Sequence, residues 1–129
     1  MVIMKDFIFF DGMSLFIDDS SWVGHITEVS SKIDLLKQIS FSLKFPEYFG
    51  LNWDALYDCL RDFHWLSQHR IIIVHDDIPH LDDQALNIYI SVLYDAINDW
   101  KEGEEHELDV VFPKQYEQKI ESLITRKNL

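Results

Sequence analysis

The clearest strand in this chain is Arg70-Ile71-Ile72-Ile73-Val74, near the middle of the sequence. Its β-branched run lacks the alternating polar positions that an exposed sheet face would require. A continuous apolar run of this kind is typical of a strand that is covered on both faces, as strands of parallel sheets are. The segment therefore predicts an α/β fold, and the segments on either side of it define the layout.

Helices and strands alternate around this strand. The predicted elements are a strand over 22–27, a helix over 32–43, a helix over 52–64, the strand just described, a long amphipathic helix over 82–101, a strand over 108–112 and a last helix over 114–125. The Ser30-Ser31 pair and Asn52 offer caps for the first two helices. This β-α-α-β-α-β order implies parallel strands joined by helical crossovers, in two or three layers.

Both ends of the chain extend this layout. Residues 6–10 and 14–17 flank Asp11-Gly12-Met13, a turn signal that predicts a small N-terminal hairpin within residues 1–20. The segment 114–129 holds the last helix, whose few apolar positions predict peripheral packing. With 129 residues in total, we expect a single domain that spans residues 1–129.

Composition indicates a globular protein with a basic partner. A hydrophobic content of 47% argues against disorder, and a net charge of -12 argues against binding to nucleic acid or to an anionic membrane. The single cysteine, Cys59, excludes an internal disulfide and fits a reducing compartment. The apolar run Phe7-Ile8-Phe9-Phe10 is too short for a signal-peptide core or a membrane span, so we expect a cytoplasmic protein.

The most distinctive segment is residues 46–60, in which a short aromatic loop leads into a helix with two different faces. One face is apolar and consists of Trp53, Leu56, Leu60 and Phe63, whereas the other carries Asp54, Asp58 and Asp62 with Tyr57 beside them. Carboxylates at i and i+4 repel each other, at a cost of roughly 0.2–0.5 kcal/mol per pair. Folding does not require this acidic ridge, but a cationic partner would bind it.

An ordinary surface helix is the alternative explanation of the ridge. The chain is acidic throughout, so three acids on one solvated face can arise by chance. Asp54 lies in the first turn, where its charge offsets the helix dipole by roughly 0.3–1 kcal/mol. Arg61 lies at i+3 from Asp58 and can form a surface ion pair with it. Asp58 fits this explanation least well, because it lies too far from the helix N-terminus to offset the dipole and stands between two like charges.

The aromatic residues near the ridge divide into two groups. Trp53 and Leu56 continue the apolar stripe, so we expect them in the core rather than at a contact. Tyr48 and Tyr57 fit either role, since tyrosine is favoured at interfaces and also covers core edges. Cys59 has no motif partner for nucleophilic chemistry, so we expect a small buried hydrophobe.

The motif itself resembles a known family. Pro46-Glu47-Tyr48-Phe49-Gly50, then Asn52, then Asp54-Ala55-Leu56-Tyr57-Asp58-Cys59-Leu60 are similar to the signature of the barstar family, small intracellular inhibitors of secreted or injected ribonucleases. The similarity is dense across this motif and weaker over roughly residues 22–112. It implies a small parallel three-stranded sheet with packed helices, to which the N-terminal hairpin and the C-terminal helix are additions.

The resemblance also implies a binding surface. Inhibitors of this family lay the loop and the acidic helix across the enzyme's active-site cleft. Asp58 would enter the pocket of a substrate phosphate and pair with catalytic arginines and a histidine, and Asp54 would meet a neighbouring cationic group. The implied partner-binding residues are Tyr48, Gly50, Asn52, Asp54, Tyr57, Asp58 and Asp62, with Asp95 and Asp99 as candidates for a further carboxylate on the later long helix.

On this basis the partner is a basic ribonuclease toxin, and the chain is an immunity protein that performs no catalysis and needs no cofactor or metal. We expect it to be monomeric when free and to bind neither nucleic acid nor membrane. Leu51 stands where the family commonly has a polar residue, and Tyr57 and Phe63 stand where it often has tryptophan, which leaves the identity of the nuclease open.

Two alternatives remain. One is a protein-interaction module of the same fold whose target is not a nuclease, since related folds can acquire different partners. The other is a metal-dependent hydrolase built on His75-Asp76-Asp77-Ile78-Pro79-His80, which follows the clearest strand. This segment matches no established ligand spacing and fits a solvated loop that leads to a helix starting near Asp82 or Asp83.

Overall fold

The computed structural model describes residues 4–11 and 20–127. Its elements are β1 (Ile8–Phe10), β2 (Trp22–Ile26), α1 (Lys32–Ser42), α2 (Trp53–Leu60), β3 (Arg70–His75), α3 (Asp83–Asp99), β4 (Glu107–Pro113), a 3-10 turn (Lys114–Tyr116) and α4 (Glu117–Lys127). The predicted order of strands and helices from residue 22 onwards is confirmed, with small shifts at the ends of the elements.

All four strands run parallel in one sheet, in the order β1-β4-β3-β2. β3 and β4 are central, and their register pairs Ile71 with Leu108 and Ile73 with Val110. Helices connect β2 to β3 and β3 to β4, as parallel neighbours require. The predicted α/β fold with helical crossovers is therefore confirmed.

The expected number of strands was wrong, because the described residues form a sheet of four strands and not three. β1 pairs with the outer edge of β4, with Ile8 opposite Val111. Without β1 this edge of β4 would present unpaired backbone groups. Two hydrogen bonds fix the approach to β1: the Lys5 N–H donates to Asn98 Oδ1 at 2.6 Å, and Asn98 Nδ2 donates to the Lys5 carbonyl at 2.9 Å. The second half of the predicted hairpin, residues 14–17, lies outside the described residues.

The central strands are buried on both faces, as the apolar run of β3 predicted. Ile71 and Ile73 belong to the main core beneath the helices, and Ile72 on the opposite face is also fully buried. On that opposite face the carboxylate of Asp109 is also buried. Lys5 Nζ lies 2.6 Å from Asp109 Oδ1 and Arg70 Nε lies 2.7 Å from Asp109 Oδ2. The charge of Asp109 is therefore matched inside the protein.

Side-chain caps position the helices. Ser31 Oγ accepts a hydrogen bond from the Asp34 N–H at 3.1 Å and starts α1. Asp82 Oδ1 accepts from the Ala85 N–H at 2.7 Å and starts α3. Each cap satisfies a backbone donor that the first helical turn leaves unpaired. Sequence alone therefore located the starts of these helices well.

α2 ends at Leu60, before the predicted end at residue 64. Phe63 leaves the helix with a positive φ of 54° and is fully buried. Its ring stacks on Trp100 with centroids 6.2 Å apart and meets Trp65 edge-on. The left-handed conformation destabilises the fold by roughly 1–2 kcal/mol, whereas burial of an aromatic side chain stabilises it by roughly 1.5–3 kcal/mol. Packing therefore outweighs helical continuation at this position.

The C-terminal segment adds α4 to the helical layer, packed against α3. Ile120 of α4 is fully buried, whereas Leu123 and Ile124 are partly buried against the core. In the described ranges, none of the helices has the length and apolar character needed to cross a bilayer.

Candidate protein-binding site

The aromatic loop leads tightly into α2. The Phe49 N–H donates to the Pro46 carbonyl at 3.0 Å, and the Asn52 N–H donates to the Gly50 carbonyl at 2.7 Å. A Cβ on Gly50 would lie only 3.1 Å from Asn52 Nδ2, so a larger residue there would push on the cap of α2. Tyr48, in the middle of the loop, is 71% exposed. The loop thus presents an aromatic ring from a closely fixed backbone.

Asn52 caps α2, as its sequence position predicted. Its Oδ1 accepts a hydrogen bond from the Ala55 N–H at 2.8 Å. This bond uses one lone pair of the Asn52 side-chain carbonyl, and the Nδ2 protons remain as the donors that Asn52 can offer to a partner. Asn52 therefore fixes the start of the acidic helix in addition to any contact that it makes.

Two of the three ridge carboxylates lie on α2 and face solvent. Asp54 and Asp58 are exposed, and neither carboxylate makes a hydrogen bond or an ion pair with any residue that the structure describes. The third, Asp62, lies beyond the end of the helix at Leu60. Asp62 accepts hydrogen bonds from the backbone N–H of His64 at 3.2 Å and from its ring Nδ1 at 2.9 Å. The acidic ridge of α2 therefore consists of Asp54 and Asp58.

Arg61 does not form the ion pair with Asp58 that the surface-helix explanation allowed. Its guanidinium lies 4.2 Å from the ring centroid of Trp100, and its Nη2 lies 3.9 Å from Glu104 Oε2. Trp100 in turn donates from Nε1 to the Leu60 carbonyl at 2.8 Å. These contacts secure the C-terminal end of α2 and draw the nearest cation away from Asp58. A surface ion pair with Arg61 therefore does not explain the presence of Asp58 on this helix.

The opposite face of α2 packs into the core as expected. Leu56, Cys59 and Leu60 are buried. Burial, with a smaller contribution from the nearby Asp62 and Asp58 carboxylates, raises the pKa of the Cys59 thiol to about 11. The thiol is therefore protonated and unreactive at neutral pH.

Trp53 belongs to both the core edge and the surface. Its ring lies 6.0 Å from that of Tyr89, and Lys32 Nζ lies 5.1 Å from its centroid. Trp53 also lines a surface depression of about 370 Å³ between α2 and α3. Trp53, which was expected in the core rather than at a contact, is therefore partly buried against the core and also lines the depression.

We call this depression and its carboxylates the acidic face. Its lining residues are Trp53, Asp54, Tyr57, Asp58, Val92 and Asp95. Carboxylates from α2 and α3 thus line this depression together with aromatic and aliphatic side chains. A cationic side chain would find both charge and an apolar surface for its stem at this place.

The two later candidates, Asp95 and Asp99, have different surroundings. Asp99 accepts a hydrogen bond from the Tyr57 hydroxyl, which ties α3 to α2. This hydrogen bond, reinforced by burial and by the charge of Asp99, raises the pKa of Tyr57 above its ordinary value, although Arg61 opposes the shift. Asp95 lines the acidic face one turn earlier. The geometry therefore groups Asp95, and not Asp99, with Asp54 and Asp58.

The histidine segment after β3 has structural partners. His75 is buried, with Nδ1 at 3.0 Å from the Val111 carbonyl and Nε2 at 2.7 Å from the Tyr89 hydroxyl. A carbonyl can only accept, so Nδ1 carries the proton and Nε2 accepts from Tyr89. Burial lowers the pKa of His75 to about 4. Asp77 accepts from the Tyr116 hydroxyl at 2.5 Å and contacts His80 at 3.2 Å.

These contacts spread the histidines and aspartates of this segment over several separate pairs. Within residues 4–11 and 20–127, no group of three or more histidine, cysteine, aspartate or glutamate side chains is placed to hold a metal ion. The segment supplies a buried neutral histidine and a loop before α3.

A second surface was not anticipated from the sequence. Phe41 on α1 is 88% exposed and lines a groove of about 760 Å³ next to the aromatic loop. The apolar stripe of α1 runs through Leu35, Ile39 and Leu43 at helical spacing, and Phe41 lies off that stripe. This displacement from the stripe was the available sequence signal.

Comparison with known proteins assigns a family to the chain. No curated protein matches its sequence. The family model described as Barstar (barnase inhibitor) matches residues 23–113, from β2 to the end of β4. The match includes the loop and the acidic face, and leaves β1 and α4 outside. Since it covers well over half of the sequence, this chain belongs to the barstar family.

Proposed function

We propose that this protein inhibits a basic ribonuclease by covering its active site with the acidic face and the aromatic loop. One observation carries the proposal: Asp54 and Asp58 are exposed without a partner among the described residues, on a helix fixed at both ends. The family to which the chain belongs is described as a barnase inhibitor. Together, the family and the uncompensated charges favour a cationic enzyme cleft as the target.

The chemistry of such a complex follows from the carboxylates. A carboxylate shares one negative charge between two oxygens, as a phosphodiester group does. It can therefore accept the same bidentate hydrogen bonds from arginine. In this proposal Asp58 occupies the phosphate pocket of the nuclease and Asp54 pairs with a second cation. In this proposal Asp95 supplies the further carboxylate because it lines the same depression.

Rigidity supports the same function. The Asn52 cap, the Trp100–Leu60 hydrogen bond and the Tyr57–Asp99 hydrogen bond hold α2 at its start, end and middle. A prearranged surface loses little conformational entropy on binding, so more of the interaction free energy appears as affinity. Repulsion between Asp54 and Asp58 is then a folding cost that the cationic partner relieves.

Net charge contributes to the rate of binding. The charge of -12 attracts a basic nuclease over distances comparable to the Debye length. Fast association suits an immunity protein, which must capture its toxin before RNA is cleaved. Neighbouring carboxylates outside the contact, including Asp62, would act mainly on this rate.

An affinity capture with two baits tests the proposal. The immobilised full chain and its Asp54→Asn/Asp58→Asn variant are exposed to lysate of cells that carry the gene, and the retained proteins are identified by mass spectrometry. We expect the wild-type bait, and not the variant, to retain a basic ribonuclease. Stoichiometric addition of the wild type should then abolish RNA cleavage by that purified enzyme.

The outcomes separate the two protein-binding explanations. Retention of a protein without nuclease activity would favour an interaction module with another target. A ribonuclease retained equally by both baits would refute the role of the acidic face.

A further inference from the structure

A groove beside the aromatic loop has features that folding does not explain. Its volume of about 760 Å³ is larger than that of the depression at the acidic face, about 370 Å³. The residues that matter for its chemistry are Trp22, Lys37, Phe41, Lys44, Phe49 and Leu51. We call this site the Phe41 groove.

Phe41 contributes little to the stability of the monomer. With 88% of its surface exposed, its ring contacts solvent rather than core. α1 already packs through Leu35, Leu36 and Ile39. An aromatic side chain that stands clear of its own fold beside an apolar groove is typical of an interface anchor.

The groove is also locally basic, in contrast to the protein as a whole. Lys37 and Lys44 line it together with a single acid, Glu47, although the chain carries a net charge of -12. Lys44 Nζ lies 4.9 Å from the ring centroid of Trp22. Neither lysine forms an ion pair with a residue in the described part of the chain. The groove therefore suits an apolar side chain that is flanked by a carboxylate.

The aromatic loop joins the groove to the acidic face. Glu47, Phe49 and Leu51 line the groove. The alternating residues Tyr48 and Gly50 belong to the partner-binding residues that the family resemblance implies, and they lie in the loop that the proposed function places on the nuclease. Leu51 lines the groove and Trp53, two residues later, lines the acidic face, so a protein bound over the loop would reach both surfaces.

We infer that the Phe41 groove is a second contact for the same ribonuclease, and this inference rests on the proposed function. The groove receives an apolar side chain, followed or preceded by an acidic residue, from a segment next to the nuclease cleft. The nuclease thus meets opposite charges on the two sides of the loop, which fixes its orientation. A second copy of this chain is a poorer occupant, because two copies with net charge -12 repel each other.

The test measures binding of the purified ribonuclease from the capture experiment, in a catalytically inactive form, by isothermal titration calorimetry. The principal variant is Phe41→Ser, and the control is Ile33→Ser, an exposed apolar residue of α1 that does not line the groove. We expect Phe41→Ser to weaken binding at least about tenfold, and Ile33→Ser to change it less than about twofold. Thermal unfolding of both variants should match the wild type.

The charge of the occupant is tested with Lys37→Glu. We expect this variant to weaken binding about fivefold, because it places a carboxylate opposite the acidic residue of the nuclease. Unchanged or stronger binding would overturn the assignment of an acidic occupant.

The remaining outcomes separate this inference from the proposed function. If Asp58→Ala abolishes nuclease binding while Phe41→Ser leaves it within about twofold, the groove proposal is wrong and the inhibitor function stands. If Asp58→Ala has no effect, the acidic face is not the contact and the proposed function fails as stated, together with the inference that rests on it. Sedimentation velocity tests whether a second copy of this chain occupies the groove. A wild-type dimer that dissociates on Phe41→Ser would assign the groove to that second copy and overturn the proposal.

Discussion

Two aspartates of this protein, Asp109 in β4 and Asp58 in α2, have opposite surroundings. Asp109 is buried and contacts Lys5 at 2.6 Å and Arg70 at 2.7 Å. Asp58 is exposed and has no ion pair among residues 4–11 and 20–127, although Arg61 lies three residues away. Burial would raise the pKa of Asp109, but hydrogen bonds and charges from Lys5 and Arg70 outweigh burial and hold this pKa below its ordinary value.

The difference between Asp109 and Asp58 shows that basic side chains neutralise the buried carboxylate and not the exposed one. The chain has 11 lysines and arginines against 23 aspartates and glutamates. A buried carboxylate requires compensation, because desolvation of an unpaired charge is costly. An exposed carboxylate on a helix does not. The cations near the sheet therefore serve folding, and the acidic face remains available to another molecule.

The largest expected effect is on binding by Asp58→Ala. We expect the affinity for the ribonuclease to fall by about 3–5 kcal/mol, because the cations of the enzyme pocket lose their buried counter-charge. The free energy of unfolding should change by less than about 0.5 kcal/mol, as for other exposed positions. Calorimetry and urea denaturation measure the two quantities.

Asp83→Ala is the matched control for this substitution, since Asp83 is an exposed aspartate in the first turn of α3, outside the acidic face. A loss of less than about 1 kcal/mol for Asp58→Ala, the scale of a rim charge, would contradict the role of Asp58.

A second prediction concerns a buried group with neutral partners, His75. Its folded pKa of about 4 lies below the ordinary 6.5. A lowered histidine pKa contributes stability above pH 6.5 that is lost as pH falls towards 4. The loss from this group amounts to roughly 3 kcal/mol by linkage.

Urea denaturation of the wild type and of His75→Gln between about pH 7.5 and pH 4 measures this contribution. The substituted glutamine side chain keeps a donor for the Val111 carbonyl but does not titrate, so the variant should lose less stability over this interval. Parallel pH profiles for the two proteins would refute the assignment.

The third prediction concerns Asp109 itself. We expect Asp109→Asn to lower the free energy of unfolding by about 2–3 kcal/mol, because it removes the counter-charge of Lys5 and Arg70 and weakens their hydrogen bonds. Binding to the ribonuclease should not change. Asp54→Asn supplies the reverse control, with weakened binding and a stability change below about 1 kcal/mol, because lost helix-dipole stabilisation is partly offset by relief of the repulsion from Asp58. Equal stability losses for the two variants would remove the contrast between the buried and the exposed carboxylates.

The fourth prediction tests whether Asp99 is structural. Tyr57→Phe removes the hydroxyl that donates to Asp99 and should reduce the free energy of unfolding by about 1.5 kcal/mol. Asp99→Ala should produce a similar loss, and the double variant should lose no more than either single variant. Additive losses in this double-mutant cycle, measured by thermal unfolding, would show that the two side chains act independently.

The smallest effect is on the association rate. Between about 0.05 and 0.5 M salt we expect the association rate constant to fall about tenfold, since salt screens the attraction between the acidic protein and the basic enzyme. Stopped-flow mixing at several salt concentrations provides the measurement. A rate constant that is independent of salt would indicate an apolar interface without electrostatic steering.

Much of the fold was predictable because its signals are local. The β-branched run of β3 and the caps Ser31 and Asn52 each depend only on residues that are close in sequence. The choice of β4 as the partner of β1 was not predictable, because the turn signal at Asp11-Gly12 suggests a local hairpin and strand pairing depends on distant residues. The early end of α2 was not predicted for the same reason. Phe63 leaves the helix to pack on Trp100, which lies at the C-terminal end of α3.

The candidate site was predicted in part. The motif located Asp54 and Asp58, but it also included Asp62, which lies beyond the helix and contacts His64. Sequence spacing left Asp95 and Asp99 equivalent, because both lie on α3 one turn apart. Only the position of α2 against α3 shows that Tyr57 donates to Asp99 and that Asp95 lines the acidic face.

The sequence by itself determined the α/β class, the order of its helices and parallel strands, and the presence of an acidic helix, because periodicity, caps and charge are properties of neighbouring residues. The tertiary structure decided which carboxylates are compensated and which are left exposed. That outcome depends on cations and aromatic rings that folding brings together from distant parts of the chain, such as Lys5 beside Asp109 and Trp100 beside Arg61. Electrostatic and packing contacts act through space, and their partners are fixed only when the whole chain has folded.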